Sequence, residues 1–135
     1  MTSPGGLPPG ITPQNIIDEQ NPRNRRLAEA LSRCGLIERS GQGINLMFER
    51  AIRKSKALPD FAGTEPHTVR LTLRGEVTNP SFLAFPARIG EEALGGFDTR
   101  DLLVLDHVQR GEVVPVELVG SLSRLIHLGV IESIG

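Results

Sequence analysis

Residues 21–44 read NPRNRRLAEALSRCGLIERSGQGI, and this stretch contains one complete helix pattern followed by its end. Apolar residues recur in it at helical spacing and predict one stripe that packs inward: Leu27, Ala30, Leu31 and Cys34. Glycine readily adopts the left-handed conformation that ends a helix, and Gly35 stands at that place. We therefore expect a helix whose Leu31 lies in a core and whose Cys34 is a small buried thiol.

A second helix pattern follows Gly41 and Gly43. Its apolar positions again share one face: Ile44, Met47, Phe48, Ala51 and Ile52. A glycine-rich loop that leads into a helix can bind phosphate, because backbone N–H groups and the positive end of the helix dipole converge there. The same glycines can instead serve only to allow a tight turn. We favour the turn, because two glycines are a weak signal for a phosphate site.

The composition restricts the classes of function that remain. The chain has 15 basic and 16 acidic residues, a formal charge of -1, so whole-chain electrostatics does not favour nucleic acid. A single cysteine excludes an internal disulfide, and the scattered histidines predict no metal site. No carboxylate, histidine or serine shows a catalytic spacing, so we predict no catalytic residue. No apolar run approaches the roughly 20 residues that span a bilayer, so we expect a cytoplasmic protein without a membrane partner.

Short motifs occur together in one order along the first third of the chain: Pro4-Gly5-Gly6-Leu7-Pro8 with Gly10-Ile11-Thr12, Arg23-Asn24, Gly35-Leu36-Ile37-Glu38 and Gly41-Gln42-Gly43-Ile44. With these motifs the chain resembles the C-terminal region of a bacterial family of RecG-related, helicase-like transcriptional regulators. In that family a Schlafen-type AlbA-like domain precedes a degenerate GHKL-type ATPase-like domain, and a winged helix follows. The resemblance is firmest over residues 4–74 and extends to residues 97–135.

The resemblance implies an α+β fold, in which the remnant of an ATPase-like α/β sandwich is followed by a small, mostly helical, winged-helix-like unit. It also implies that a strand before Pro4 and the magnesium-holding helix lie upstream, in a longer parent protein. ATP and Mg²⁺ would then belong to the parent, and we expect no cofactor in this fragment. A nucleotide that did reach this segment would contact three residues: Gly41, Gln42 and Gly43.

We predict the following organisation: a loop-rich segment 1–20, an ATPase-like remnant 21–77, a connecting segment 78–96 and a truncated winged-helix-like unit 97–135. Glycine and proline between Pro4 and Gly10 argue against regular structure, and residues 1–3 have the character of a flexible tail. Alternation over residues 67–77 predicts a strand whose core side carries Val69, Leu71 and Leu73. Its partner strand would lie upstream, or residues 36–39 would offer a short one, and we expect an exposed sheet edge.

The last third of the chain has a helical character. The pattern of residues 79–94 predicts a helix that is either interrupted at Pro86 or begins near it. Asp98 or Thr99 would cap the next helix and Gly111 would end it, with core positions at Leu102, Leu103, Leu105 or Asp106, and Val108. Ser121 would cap a final helix that Gly129 ends, and residues 130–132 would form a strand.

Two functions from different classes follow. The first is a fragment of a transcriptional regulator, a DNA-binding and interaction module without catalytic activity of its own. Its DNA contacts would come from Ser121, Ser123 and Arg124 on the last helix and from Arg23, Arg25 and Arg26. The alternative is part of an ATP-dependent DNA helicase-related protein with a nucleotide-contacting glycine loop. The implied partners are DNA, the N-terminal domains of the parent chain and a second copy of this chain.

Overall fold

The computed structural model describes residues 1–37 and 42–132, without the side chains of Pro86 and Glu91. Its strands and helices follow one another as β1 (Thr2–Pro4), α1 (Arg25–Arg33), α2 (Gln42–Arg53), β2 (Thr68–Arg70), α3 (Ala84–Ile89), α4 (Glu91–Gly95), α5 (Thr99–Arg110) and α6 (Val119–His127). Two 3-10 turns lie at Pro80–Leu83 and Val116–Leu118. Helices together with a small antiparallel sheet confirm the α+β class.

The chain divides into two compact units, and each unit takes two separate segments. Unit 1 comprises Met1–Met47 and Leu58–Arg74, and unit 2 comprises Phe48–Ala57 and Gly75–Gly135. The first boundary therefore falls inside α2. No helix among the described residues is long and apolar enough to cross a membrane.

The sheet of unit 1 pairs the first residues of the chain with β2. Strands β1 and β2 are antiparallel, with Thr2 opposite Arg70 and Pro4 opposite Thr68. The expectations of a flexible tail at residues 1–3 and of a partner strand outside the chain were therefore wrong. Pro4 is tolerated because it stands at the end of a short strand with only one neighbour, where a missing N–H costs little.

Strand β2 is shorter than the predicted strand over residues 67–77. Leu71, just after it, is buried, and Val69 is half-buried as expected. Leu73, however, is 59% exposed, so the alternation does not continue on a core face. Beyond Arg70 the pairing continues only as isolated bridges, between Thr72 and Asp60 and between Val77 and Lys56. A strand without a continuous partner does not bury one whole side.

Helix α1 ends where the sequence predicts, and a side chain caps its start. The side chain of Asn24 caps it by accepting from the backbone N–H of Leu27 at 2.9 Å. Gly35 has a φ of +68°, and its N–H donates to the carbonyl of Ser32 while that of Leu36 donates to the carbonyl of Leu31. These two bonds form a Schellman ending, which confirms Gly35 as the stop.

The face on which α1 packs differs from the predicted one. No residue of this fully described helix is buried. Leu27 is 54% exposed, Ala30 and Cys34 are exposed, and Leu31 is only half-buried. The expected core stripe was therefore wrong, because the helix rests on a face that includes Ala28 and Ser32, which are also half-buried.

Helix α2 buries its second half more deeply than its first. Phe48 and Ile52 are buried, whereas Ile44, Met47 and Ala51 are half-buried. Two residues after the helix, Ser55 has a positive φ of 48° and is fully buried. Within unit 2, the Ser55 hydroxyl donates to the carbonyl of Asn79 at 2.8 Å and accepts from its N–H at 3.1 Å. These bonds satisfy backbone groups of the segment that follows β2.

The predicted helical character of residues 79–94 is confirmed by the first 3-10 turn, α3 and α4. Helix α5 is capped by Asp98, whose side chain accepts from Asp101 N–H while the Asp101 side chain accepts from Asp98 N–H, and Gly111 ends it as predicted. Its core is formed by Leu102, Leu103, Val104 and Leu105. Val108 was wrongly placed in that core, since it is exposed.

The final helix differs from its prediction at its start and in the residues that follow its end, whereas its stop at Gly129 is confirmed. Helix α6 begins at Val119 rather than at Ser121, directly after the second 3-10 turn, and has no side-chain cap. Leu125 is fully buried, whereas Ile126 and Leu128 are exposed. Gly129 ends the helix with a φ of +69°, but residues 130–132, all described, form no strand. An apolar run becomes a strand only when another strand supplies hydrogen-bond partners.

Candidate functional site

The glycine- and proline-rich loop of residues 5–11 is anchored to neighbouring parts of unit 1. Arg23 Nη2 donates a hydrogen bond to the carbonyl oxygen of Gly6, and Asn21 Nδ2 donates to the carbonyl oxygen of Pro9 at 2.8 Å. The N–H of Gly5 donates to the carbonyl oxygen of His67 at 2.8 Å. These bonds give an irregular loop a fixed course beside the segment that leads into α1.

A cleft of about 530 Å³ lies in unit 1, between this loop and α1. Its apolar lining consists of Leu7, Pro8, Ile11, Ile16, Pro22, Ala28, Ile37 and Ile44. Its polar lining consists of Glu19, Gln20, Asn21, Arg25 and Glu29. The volume is within the range of roughly 300 to 1,000 Å³ that small-molecule sites occupy.

The described lining of the cleft carries three charged side chains. Arg25 and Glu29 are four positions apart on α1 and therefore project from the same side of the helix. Two carboxylates, Glu19 and Glu29, and one guanidinium give the described lining a formal charge of -1. The described lining contains no histidine, serine or cysteine that could act as a nucleophile or a proton shuttle. Across the described part of the chain, no group of three or more metal-binding side chains occurs.

The predicted nucleotide residues adjoin this cleft without lining it. Gly41 lies outside the described residues. Gln42 and Gly43 are the exposed first residues of α2, and the next residue, Ile44, belongs to the cleft wall. Nucleotide contact by Gly41, Gln42 and Gly43 stays a prediction.

The arginines of unit 1 that were predicted to contact DNA have different surroundings. Arg23 holds the loop through Gly6, and Arg25 lines the cleft. Arg26 is exposed and does not line the cleft. The three arginines therefore do not form one continuous strip, although each remains on the surface.

The residues of unit 2 that were predicted to contact DNA lie on α6. Arg124 is paired with the fully buried Asp101, with 2.7 Å between Nη1 and Oδ2, and its Nη2 donates to the carbonyl oxygen of Gly96 at 3.2 Å. The hydroxyl of Ser123 donates to the carbonyl of Val119, and Ser121 is half-buried. Contact between Arg124 and a phosphate would compete with the Asp101 pair, and DNA contact by these residues stays a prediction.

Several residues of the cleft were not singled out from the sequence. Ile11, Ile16 and Glu19 belong to a segment without regular periodicity, so no pattern marks them as neighbours of α1. The resemblance supplied the one signal, because its motifs include Leu7, Pro8 and Ile11, which line the cleft. It gave these residues no role in binding.

Comparison with known proteins gives one result that bears on this site. Residues 1–73, more than half of the chain, match the model of the family described as "Putative ATP-dependent DNA helicase recG C-terminal". No curated protein and no solved structure matches the chain. The matched residues contain β1, the anchored loop, the cleft-lining part of α1 and β2. The chain therefore belongs to the RecG C-terminal family of ATPase-like, helicase-related proteins.

Proposed function

We propose that this chain is a regulatory module of a transcriptional regulator, in which an ATPase-like part retains a ligand cleft without binding or hydrolysing ATP to a useful extent. The observation that carries the proposal is the formal charge of -1 on the described cleft lining, to which Arg25, Glu19 and Glu29 contribute. A triphosphate needs the opposite sign of charge around it.

The argument concerns what phosphoryl transfer requires. ATP-using enzymes neutralise the phosphates with lysine or arginine and with Mg²⁺, and they also position the attacking water. In the described residues the cleft offers one guanidinium, and no cluster of metal-binding side chains occurs. Phosphate contact from a glycine turn alone would supply only a few charge-assisted hydrogen bonds. We therefore expect a Kd for ATP in the millimolar range or higher, which corresponds to a binding free energy of about 4 kcal/mol or less.

The cleft is better suited to a compact organic molecule that carries little negative charge. Apolar walls would cover most of such a ligand, while Arg25, Asn21 and the two carboxylates would fix its orientation by hydrogen bonds. A neutral or singly charged ligand avoids the repulsion that the carboxylates would exert on a triphosphate. Ligand binding without hydrolysis is what a regulatory module requires.

The test is a titration of the ¹⁵N-labelled chain with Mg-ATP and, separately, with adenosine. We expect no saturation with Mg-ATP below the millimolar range, because the lining repels phosphate. Glu29→Lys should tighten Mg-ATP binding several-fold, whereas the matched change Glu65→Lys, at an exposed residue that does not line the cleft, should leave it unchanged. Saturable shifts centred on residues 40–44 at micromolar Mg-ATP in the unaltered chain would overturn the proposal.

The alternative is a nucleotide-contacting part of an ATP-dependent DNA helicase-related protein. Two observations support it: the family match itself, and the position of Ile44 in the cleft wall directly after Gly43. Under this alternative, Gly43→Val should abolish micromolar ATP binding that the unaltered chain would show. The same titration thus distinguishes the two functions.

A further inference from the structure

The apolar and the charged residues that line the cleft of unit 1 differ in their exposure. Most of the apolar lining is buried or half-buried: Leu7, Pro8, Ile11, Ile16, Ala28 and Ile44. The three charged lining residues, Glu19, Arg25 and Glu29, are all exposed. The cleft therefore combines apolar walls with charged groups at the edge that meets water, which we call the cleft rim.

The charged groups of the cleft rim have no counter-charge of their own. Among the described residues, no ion pair joins Glu19, Arg25 or Glu29 to another side chain. Arg25 and Glu29 are four positions apart on α1, so their opposite charges largely offset each other at a distance. Residues 11–20, which carry Glu19, contain no lysine or arginine. The rim is therefore negative on balance, and Glu19 carries the excess.

This combination restricts the chemistry of a ligand. An apolar body gains free energy when the walls remove it from water. A positive head group at the cleft rim is attracted by the two carboxylates, although water screens charges that are exposed. A metal ion would leave the apolar walls unused, and no group of three or more metal-binding side chains occurs in the described part of the chain.

We infer that the cleft binds an organic cation, a molecule with an apolar body and a single ammonium head group. The body would lie against Leu7, Ile11 and Ile16, and the head group would stay at the rim near Glu19 and Glu29. This inference rests on the proposed function, because it names the chemical class of the ligand for the same cleft.

The first experiment compares three probes that share one apolar body and differ in charge: 4-phenylbutylamine, 4-phenylbutanol and 4-phenylbutyrate. Each is titrated into the ¹⁵N-labelled full chain at neutral pH, and the amide shifts of Ile11, Ile16 and Ala28 are followed. We expect the amine to bind about threefold more tightly than the alcohol, as exposed ion pairs allow, and the butyrate to bind most weakly. Ethylammonium, which lacks the apolar body, should cause no saturable shift.

Salt separates the charge contribution from the apolar one. Raising the ionic strength to about 1 M shortens the screening length to about 3 Å, so the Kd values of amine and alcohol should converge. An advantage of the amine that persists at high salt would refute attraction by the exposed carboxylates.

Variants of the rim then assign the attraction to its residues. Glu19→Gln with Glu29→Gln should raise the Kd of the amine to that of the alcohol and leave the alcohol unchanged. The matched change Glu65→Gln, at an exposed residue outside the cleft, should alter neither Kd. Arg25→Gln should act in the opposite direction and tighten binding of the amine, which a general loss of structure would not do. An unchanged preference for the amine in the Glu19 and Glu29 double variant would refute the role of the rim.

The outcomes also separate this inference from the proposed function. Equal binding of amine and alcohol would overturn the inference, while the cleft would remain a ligand site that does not use ATP. Tightest binding of the butyrate would overturn it as well and would make Arg25 the selecting group. Saturation at micromolar Mg-ATP would overturn the proposed function, whatever the three probes show.

Discussion

Gly6 shows how one residue of the anchored loop constrains its sequence. A Cβ atom at this position would lie 2.0 Å from the carbonyl oxygen of Pro66, which is backbone and cannot turn aside. The N–H of the adjacent Gly5 donates a hydrogen bond to the carbonyl oxygen of His67, so residues 5–6 and 66–67 are in close contact. By contrast, a Cβ at Gly43 would meet nothing within 4 Å. Gly6 is therefore required by the close approach of Pro66, whereas no neighbouring atom requires a glycine at position 43.

We expect Gly6→Ala to destabilise the protein by about 3 kcal/mol, because the loop and the Pro66 segment must separate. Gly43→Ala should stabilise it by about 0.5 kcal/mol, because alanine favours the helical conformation that residue 43 already has. Urea unfolding followed by circular dichroism measures both changes. An equal effect of the two variants would show that Gly6 and Pro66 are not in contact.

The sequence predicts local features of single residues better than their burial. Gly35, Asp98 and Gly111 were placed by rules that involve only their near neighbours, and the two glycine stops and the Asp98 cap are confirmed. Leu27 and Cys34 were assigned to a core because they share a helix face. Which face packs depends on residues far along the chain, and periodicity carries no information about that.

At the scale of elements, unit 2 joins α5 and α6 through one ion pair. Asp101 is fully buried, and its Oδ2 accepts from Arg124 Nη1 at 2.7 Å and from Asp98 N–H at 3.2 Å. Its Oδ1 has no hydrogen-bond partner among the described residues. The buried carboxylate therefore depends on Arg124, which also reaches the carbonyl of Gly96. The same pair fixes the end of α4 relative to α6.

Arg124→Met should destabilise the protein by roughly 2 kcal/mol, because it leaves the Asp101 carboxylate buried without its counter-charge. The cost is below that of a fully buried pair, since about half of the Arg124 side chain reaches water. Arg88→Met, at an exposed arginine of α3, serves as the control and should change stability by less than about 0.5 kcal/mol. Thermal unfolding compares the two variants. Equal melting temperatures would contradict the role given to Arg124.

Elements were predictable where their signals are local. Helix α5 has its cap, its apolar core and its stop within about a dozen residues, and the structure confirms its bounds. The start of α6 was misplaced because a 3-10 turn, rather than a capping side chain, leads into it. The pairing of β1 with β2 was missed, since it joins residues almost 70 positions apart through a strand that contains proline.

At the scale of the whole molecule, the family match and the structural units end close together, at residues 73 and 74. The matched residues nevertheless do not make up unit 1 alone. Phe48 and Ile52 of α2 are buried and belong to unit 2, and Ser55 is bonded to Asn79 of the same unit. The segment 48–57 therefore needs residues beyond the family match.

We expect a chain of residues 1–74 to lose cooperative unfolding, because it lacks most of the compact unit to which the buried Phe48 and Ile52 belong. A chain of residues 1–132 is the control and should unfold as the complete chain does. Urea titration together with the dispersion of amide resonances measures the difference. A dispersed spectrum and an undiminished transition for residues 1–74 would show that the segment 48–57 folds without unit 2.

The backbone passes back and forth between the two units, and this limits how gene recombination could replace one unit and keep the other. The backbone passes between units after Met47, Ala57 and Arg74. A single recombination event at residue 74 would join a new C-terminal part to the old segment 48–57, whose buried side chains evolved with a different neighbour. An intact transfer of unit 2 needs three matched junctions, so we expect this pair of units to have been inherited together rather than shuffled as separate modules.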